Sequence, residues 1–418
     1  MSSLTHHFRR LAVDTRPLRH APYRRMWLGN ALSFLGFQLT AVAVPLEMFE
    51  LTRDSFWVGL LGIASLVPLL IFALWGGAIA DAMDRRRLLL VSSVFTWMAT
   101  LGLLVQALLG IGSPHLLLFL VAVQSMAVAV SMPTRQAIVP RLVEADEVPA
   151  ANTLNFTVSN AAMVFGPLAA GLVFALWHPS VGLPIAYGVD ALLFTATLWA
   201  TWRLPPLPPE NGLLGARAVG WRSVGEGLRF LLTTPVLVLS FLIDIVAMVL
   251  AMPRALFPEV AAVQFGGGAA IGWLYSAIAI GSVLGGLTSG WIGRVRRQGL
   301  ALVAAVVGWG LAVALAGLAR DLWLTVTLLA VAGCADLISA VYRQTMLQLI
   351  APDALRGRLQ GVFTAVVAGG PRLGDLRAGA MAAAWGTTFA WVSGGVAAAV
   401  VAVLVALAFP ALIRYPRR

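Results

Sequence analysis

Lysine is absent from this 418-residue chain, so all 29 basic residues are arginine. Without lysine, neither a phosphate-cradling GxxxxGKS or GxxxxGKT loop nor Schiff-base chemistry can be built. The one cysteine, Cys334, excludes an internal disulfide and any multi-cysteine metal or redox motif. The five histidines, His6, His7, His20, His115 and His178, fall in the termini or in short loops. No HExxH or paired-ligand spacing occurs among them, so no metal site and no cofactor are expected. Charge is scarce as well, at 11% of residues against 60% hydrophobic. A soluble domain is about a quarter charged, so this balance belongs to a membrane protein in contact with lipid. The net charge of +11 does not imply nucleic acid, because the arginines stand in short clusters between long apolar runs. That pattern suits loops that face anionic lipid.

A helix crossing ~30 Å of hydrocarbon needs about 20 apolar residues. Suitable runs lie near 26–50, 56–80, 87–110, 114–133, 150–177 and 183–202, and again near 235–260, 269–292, 299–319, 322–341, 356–384 and 388–413. The reading is an all-α membrane protein of twelve spans, with 356–384 open to being split because it carries charges. An even count puts both termini on one side. Alternating the loops gives that side twenty-four arginines, including those at 85–87, Arg135, Arg141 and the three at 343–358. The opposite side has Arg53, Arg254 and Arg320, while Arg372 and Arg377 fall inside an apolar run. By the positive-inside rule the termini are cytoplasmic and the protein is multi-pass in the cell inner (cytoplasmic) membrane.

Five regions follow: a basic N-terminal segment 1–25, a six-helix half 26–202, a cytoplasmic linker 203–234, a second half 235–413 and a short tail 414–418. The linker contains RLPPLPPENG, and consecutive prolines cannot continue a helix. The halves repeat one another. Arg135-Gln136 recurs as Arg343-Gln344 and GPLAAG at 166–171 as GDLRAG at 374–379, both 208 positions on; Gly76-Gly77 recurs as Gly285-Gly286 one position further. Halves related in this way bury a site between them near the bilayer midplane.

The segment after the second span reads GGAIADAMDRRRLL. Asp81 lies where the helix ends, beside carbonyls of partial negative charge, so it calls for a cation, and Arg85 stands four residues on. Gly77, Asp81, Asp84, Arg85 and Arg86 together resemble the loop signature G-x-x-x-D-R-x-G-R-R of the major facilitator superfamily. The chain departs from it with Ala82 for the first arginine and Asp84 for the glycine, and the second copy, GGLTSGWIGRVRR, lacks the aspartate. The resemblance implies a twelve-helix fold in two pseudo-symmetric halves, with Asp81 meeting the N-terminus of the eleventh helix to close the cytoplasmic side and Arg85 as its local partner. Within the superfamily, YRRMWLGNALSFLG, TRQAIVPRLVEADEVPAANTL, FLIDIVAMVLAMPRALFPE, ADLISAVYRQTMLQ and GGPRLGDLRAG resemble the enterobactin exporter group of siderophore and drug effluxers. GPLAAG resembles part of the antiporter motif GPxxGG, with Ala170 in place of a glycine; Gly166 and Gly171 also permit close helix packing and Pro167 a bend.

Charges inside the bilayer cost at least ~2.5–3.5 kcal/mol each, so each needs a reason. Asp244 lies nine residues past Pro235, about 14 Å into its helix. Asp336, Asp375 and Asp190 also fall within apolar runs, as do Arg372 and Arg377. Arg372 and Asp375, three apart, can pair along one helix face. Asp244 has no cation three or four positions away, and a lone carboxylate in a low-dielectric interior can take up and release protons. It is therefore the first candidate for proton coupling, ahead of Asp336, Asp375 and Asp190. Arg372, Arg377, Arg254, Gln38 and Gln124 are candidates to line a substrate cavity, Arg254 between Pro253 and Pro258 at a possible gate; Asn30, Asn155 and Asn160 add neutral groups.

The function expected is export of a siderophore or drug-like small molecule in exchange for protons, by a monomer that is not an enzyme. One proton crossing 100 mV supplies ~2.3 kcal/mol, roughly fortyfold accumulation. The main alternative is a multidrug efflux antiporter. A transport-dead receptor and an intramembrane aspartyl protease remain, the latter on RLGD at 372–375 with Arg372 where the protease site has glycine.

Overall fold

A computed structural model of the chain describes residues 14–208 and 229–413. The first thirteen residues, most of the linker and the tail 414–418 lie outside it. So do the side chains of 73–82 and 353–358, and with them the expected roles of Gly77 and Asp81. The described residues form helices without strands. The N-terminal half contains α1 (Ala21–Thr52), α2 (Ser55–Ala82), α3 (Arg85–Leu109), α4 (Pro114–Ile138), α5 (Val148–Leu176) and α6 (Pro179–Trp202). The C-terminal half contains α7 (Pro235–Ala251), α8 (Phe257–Gln264), α9 (Ala269–Leu287), α10 (Gln298–Leu318), α11 (Leu322–Ile350), α12 (Asp353–Trp385) and α13 (Thr387–Ala408).

Local chemistry sets the boundaries. Ser113 and Asp321 accept the backbone N–H of Leu116 (3.3 Å) and Leu324 (2.9 Å) and so cap α4 and α11. Proline stands in the first turn of α4, α6 and α7, where its missing N–H costs nothing. At the far end of α3, Gly110 turns left-handed at φ 60°, a conformation that glycine adopts without strain. Among the described residues, eleven helices have the length and hydropathy to span a bilayer. The twelfth span is α12, continuous from 353 to 385 through Pro371. The seventh span is the broken one. Its helix stops at Ala251, passes through a short 3-10 turn at Arg254–Leu256 around Pro253, and resumes as α8. The fourth and tenth spans run past the ends expected from their apolar cores, to Ile138 and Ile350, and so take Arg135 and Arg343 into helix. Phe156, Leu192 and Leu287 project from the bundle, as they must where lipid is the solvent.

The packing repeats as the sequence does. α1 lies against α5 and α6, α2 against α4, and α3 against α4 and α6. In the second half α7 lies against α12 and α13, α9 against α11, and α10 against α11 and α13, the same pattern six spans on. Two seams join the halves, α2 with α12 and α5 with α9, and pseudo-symmetry exchanges one for the other. Both seams are tight at the end where α1 finishes and α2 begins, away from the termini, here called the distal end. A Cβ on Gly171 would lie 2.8 Å from the Cα of Gly272, so α5 and α9 meet backbone to backbone. At the other seam, Gly59 lies under the carbonyl of Asp375 at 2.6 Å from its would-be Cβ.

Candidate functional site

A charge cluster in the C-terminal half joins three residues. Asp244 on α7 forms an ion pair with Arg343 on α11, and the Arg343 guanidinium also lies 3.8 Å from Asp336, two turns earlier on α11. Seven residues bring two side chains back to nearly the same helix face, which lets Arg343 reach back to Asp336. The pair is dry, with side-chain exposures of 3% for Arg343 and 5% for Asp244, whereas Asp336 is 33% exposed. This corrects two expectations. Asp244 is not unpaired, because its cation comes from a neighbouring helix that local spacing does not report. Arg343 is not a loop residue facing lipid headgroups, because α11 continues past it.

The first half has no copy of this cluster. Arg135, the mate of Arg343 at an offset of 208, lies in the last turn of α4 with its Nε buried and unpartnered. The positions matching Asp244 and Asp336 are Gly36 and Val128. One half therefore carries two carboxylates on one arginine, and the other has glycine and valine at the two matching positions.

Arg372 and Asp375 of α12 form no ion pair with each other among the described contacts. Arg372 donates from Nε to Ser65 Oγ on α2 (2.9 Å) and from Nη1 to the Ala368 carbonyl (2.5 Å). Asp375 accepts from the Ala255 N–H at 3.2 Å. That N–H is one that the break between α7 and α8 has released, so Asp375 satisfies an orphaned backbone donor. The ion pair expected along the helix is absent among the described contacts, because each residue has a backbone or hydroxyl partner across a helix interface. Arg377 donates to the carbonyl of Leu250 and, at 2.7 Å, to that of Ala390. These bonds tie α12 to α7 and α13 rather than presenting a free guanidinium. Arg254 lies in the break with its Nε buried and unpartnered, and its carbonyl accepts from the Tyr275 hydroxyl at 3.3 Å.

In the first half, Asp190 on α6 is buried and accepts from Thr40 Oγ1 on α1 at 2.6 Å. Gln124 is buried and donates to Thr100 at 3.3 Å. Gln38 packs against Gly166, where a Cβ would collide with its own. The two glycines of GPLAAG thus serve different contacts, Gly166 inside the half against α1 and Gly171 across to α9, and the carbonyl of the intervening Pro167 closes over Gly272. Sequence reasoning passed over Glu47. It is buried on α1, accepts from the Tyr187 hydroxyl (2.5 Å) and Gln106 Nε2 (3.0 Å), and joins α1, α3 and α6. A glutamate inside the long apolar run of α1 was the available signal. Glu259 was passed over too, and it accepts from the hydroxyls of Ser55 and Thr387 at the distal end.

At the other end, Asp84 explains its departure from the loop signature. Its carboxylate caps α3 by accepting the Arg87 N–H at 3.1 Å and also accepts the Leu207 N–H at 2.9 Å. Arg85 returns the contact, its N–H donating to the Leu207 carbonyl at 3.1 Å, while its guanidinium donates to Ala137 O at 3.1 Å. Arg86 reaches the Trp202 carbonyl at 2.5 Å. Leu204 and Leu207 are buried with Tyr23, Met26, Ile138 and Leu154, so residues 203–208 form a strap under the first half.

A buried ion pair within a helical bundle of two repeated halves suits a membrane carrier. The sequence pattern of the transmembrane secretion effector family matches residues 13–414. Enterobactin exporter EntS of Shigella boydii serotype 18 is 29% identical over 368 residues, covering 87% of this chain and 86% of the relative. The exporter of the same name from Escherichia coli O139:H28 matches equally. Among solved structures, the nucleoside transporter NupG superposes with a TM-score of 0.73 at 16% identity, over 94% of this chain and 99% of that one. A bacterial homologue of the iron transporter ferroportin, in an inward-facing state, gives 0.67 at 14%, over 92% and 98%. These likenesses show the fold. The chain belongs to the transmembrane secretion effector family of major facilitator transporters and is similar to the enterobactin exporters.

Proposed function

We propose that this chain is a proton-coupled exporter of a siderophore or similar hydroxyl-rich small molecule, with its termini in the cytoplasm. The observation that carries the coupling is Arg343 held between Asp244 and Asp336. One guanidinium balances one carboxylate. With Asp244 in contact, Asp336 is the surplus acid, and it is the least buried of the three. Protonating it returns the cluster to neutrality, and hydroxyl donors of a substrate can satisfy the ionised form instead. Proton and substrate then compete for one carboxylate, which is the requirement for exchange. The coupling role moves from Asp244 to Asp336, and Asp244 holds Arg343 in place.

Orientation rests on arginine. Taking Arg135 and Arg343 out of the loops lowers twenty-four to twenty-two on the face with the termini, against Arg53, Arg254 and Arg320 on the other. In that orientation the tight distal seams face outward, which suits a carrier loaded from the cytoplasm. The direction and substrate class are supported by the relatives that carry the name of enterobactin exporters.

The test is proton movement on substrate addition in reconstituted vesicles with an imposed pH gradient, using a catechol siderophore and a panel of lipophilic cations. Asp336→Asn is expected to lose uphill export while keeping substrate exchange at equal pH. Uphill export at the wild-type rate by that variant overturns the coupling role. Proton release with the lipophilic cations alone selects the multidrug antiporter instead.

A further inference from the structure

Three chain segments meet on one carboxylate at the distal end. Glu259 lies on α8, the short helix beyond the break in the seventh span. One of its oxygens accepts from Ser55, the first residue of α2, and the other from Thr387, the first residue of α13. Ser55 belongs to the N-terminal half, and Glu259 and Thr387 to the C-terminal half. The same Ser55 is buried, and its carbonyl lies under Gly379 of α12, so the contact stands at the mouth of the α2·α12 seam.

We infer that Glu259 is the latch that holds the distal side shut. The bond to Thr387 stays within one half and keeps its length when the halves rock apart. The bond to Ser55 spans the two halves and must break before the distal side can open. A carboxylate suits this position because it accepts from two hydroxyls at once, one on each oxygen, and charge-assisted bonds of this kind are stronger than neutral ones. The placement of Glu259 on α8 matters as well. The 3-10 turn at Arg254–Leu256 uncouples α8 from α7. Phe257 anchors α8 edge-on against Tyr275 at 5.1 Å and against Trp391 at 5.6 Å, rings of α9 and α13. The latch is therefore carried on a short piece seated on its own half, free of the longer α7 that bears Asp244. Other bonds between the halves, Arg372 to Ser65 and Ser276 to the Val164 carbonyl at 3.0 Å, lie deeper along the seams. Glu259 is the carboxylate among them, at the seam's distal rim.

The latch presupposes alternating access, and neither the substrate nor proton coupling. Its test needs no substrate and no gradient. With Cys334 replaced by serine, spin labels are placed at Ile111 and Arg320, exposed positions in distal loops of opposite halves. Distances are measured in nanodiscs by electron–electron resonance. Ser55→Ala and Glu259→Gln, both mild changes, are each expected to raise the ratio of the long to the short distance, by roughly tenfold for Ser55→Ala, the scale of one charge-assisted bond. The Ser55→Ala, Glu259→Ala double variant is expected to match Glu259→Ala alone, since both remove the same bond between the halves. An unchanged distribution in Ser55→Ala and Glu259→Gln, or independent additive effects in the double variant, overturns the latch. The exporter reading can fail in the vesicle assay while the latch stands, and the reverse.

Discussion

The Asp84 carboxylate holds the N–H groups of Arg87 and Leu207 at once, at 3.1 and 2.9 Å, so a single side chain both starts α3 and fastens the strap at 203–208. Glycine, the signature residue at this position, can do neither. Asp84→Gly is expected to destabilise the protein by about 1–3 kcal/mol, the loss of a cap plus one charge-assisted bond. Asp84→Asn keeps an acceptor in place and should lose less. Thermal unfolding in detergent ranks the three; a glycine variant as stable as the wild type shows the strap to be idle.

Arg343→Ala takes the shared guanidinium from two carboxylates, one of them buried. The expected cost is about 3–5 kcal/mol, seen as loss of folded protein in the membrane. Asp244→Ala with Arg343→Ala removes the pair together and should recover a good part of that loss. No recovery in the double variant would mean that Asp244 and Arg343 are coupled to other groups more strongly than to each other.

Arg372 and Asp375 call for the opposite outcome. Their partners are different, Ser65 for one and the Ala255 N–H for the other. The double change Arg372→Ala with Asp375→Ala is expected to cost about the sum of the single changes, within ~0.5 kcal/mol. Rescue by the double change would restore the ion pair along α12.

Glu47 joins three helices of the first half through Tyr187 and Gln106. Glu47→Ala leaves both partners buried and unpaired, at about 1–3 kcal/mol each. Glu47→Gln keeps the bond with Tyr187 and should be well folded and active in gradient-driven export. A folded but uncoupled Glu47→Gln variant would instead give Glu47 a part in proton movement.

The outlines of this fold are legible in sequence because membrane length sets a simple rule. Twelve apolar runs gave twelve spans, and the offset of Arg343-Gln344 from Arg135-Gln136 gave the halves, which repeat in the packing. The same rule misplaced the two arginines. The tenth run ends by hydropathy before Arg343, but a charge neutralised from another helix does not end a helix, and the Asp244 that neutralises Arg343 is ninety-nine positions away. The pairing of Arg372 with Asp375 failed for a related reason. Spacing of three shows which residues can meet, while the break at Pro253 created a bare N–H that claimed Asp375 first. Glu259 was invisible because its partners start two other helices, 204 and 128 positions away.

The strap also decides where this transporter can be divided. Because residues 203–208 are fastened to Asp84 and buried among Tyr23, Met26 and Ile138, they belong to the first bundle and not to the tether between bundles. A gene split after Pro208 yields two polypeptides that each keep their own bundle intact, and these should reassemble when co-expressed. A split before Arg203 sends the strap with the wrong partner, leaving the underside of the first bundle bare and its Asp84 holding nothing beyond its own helix.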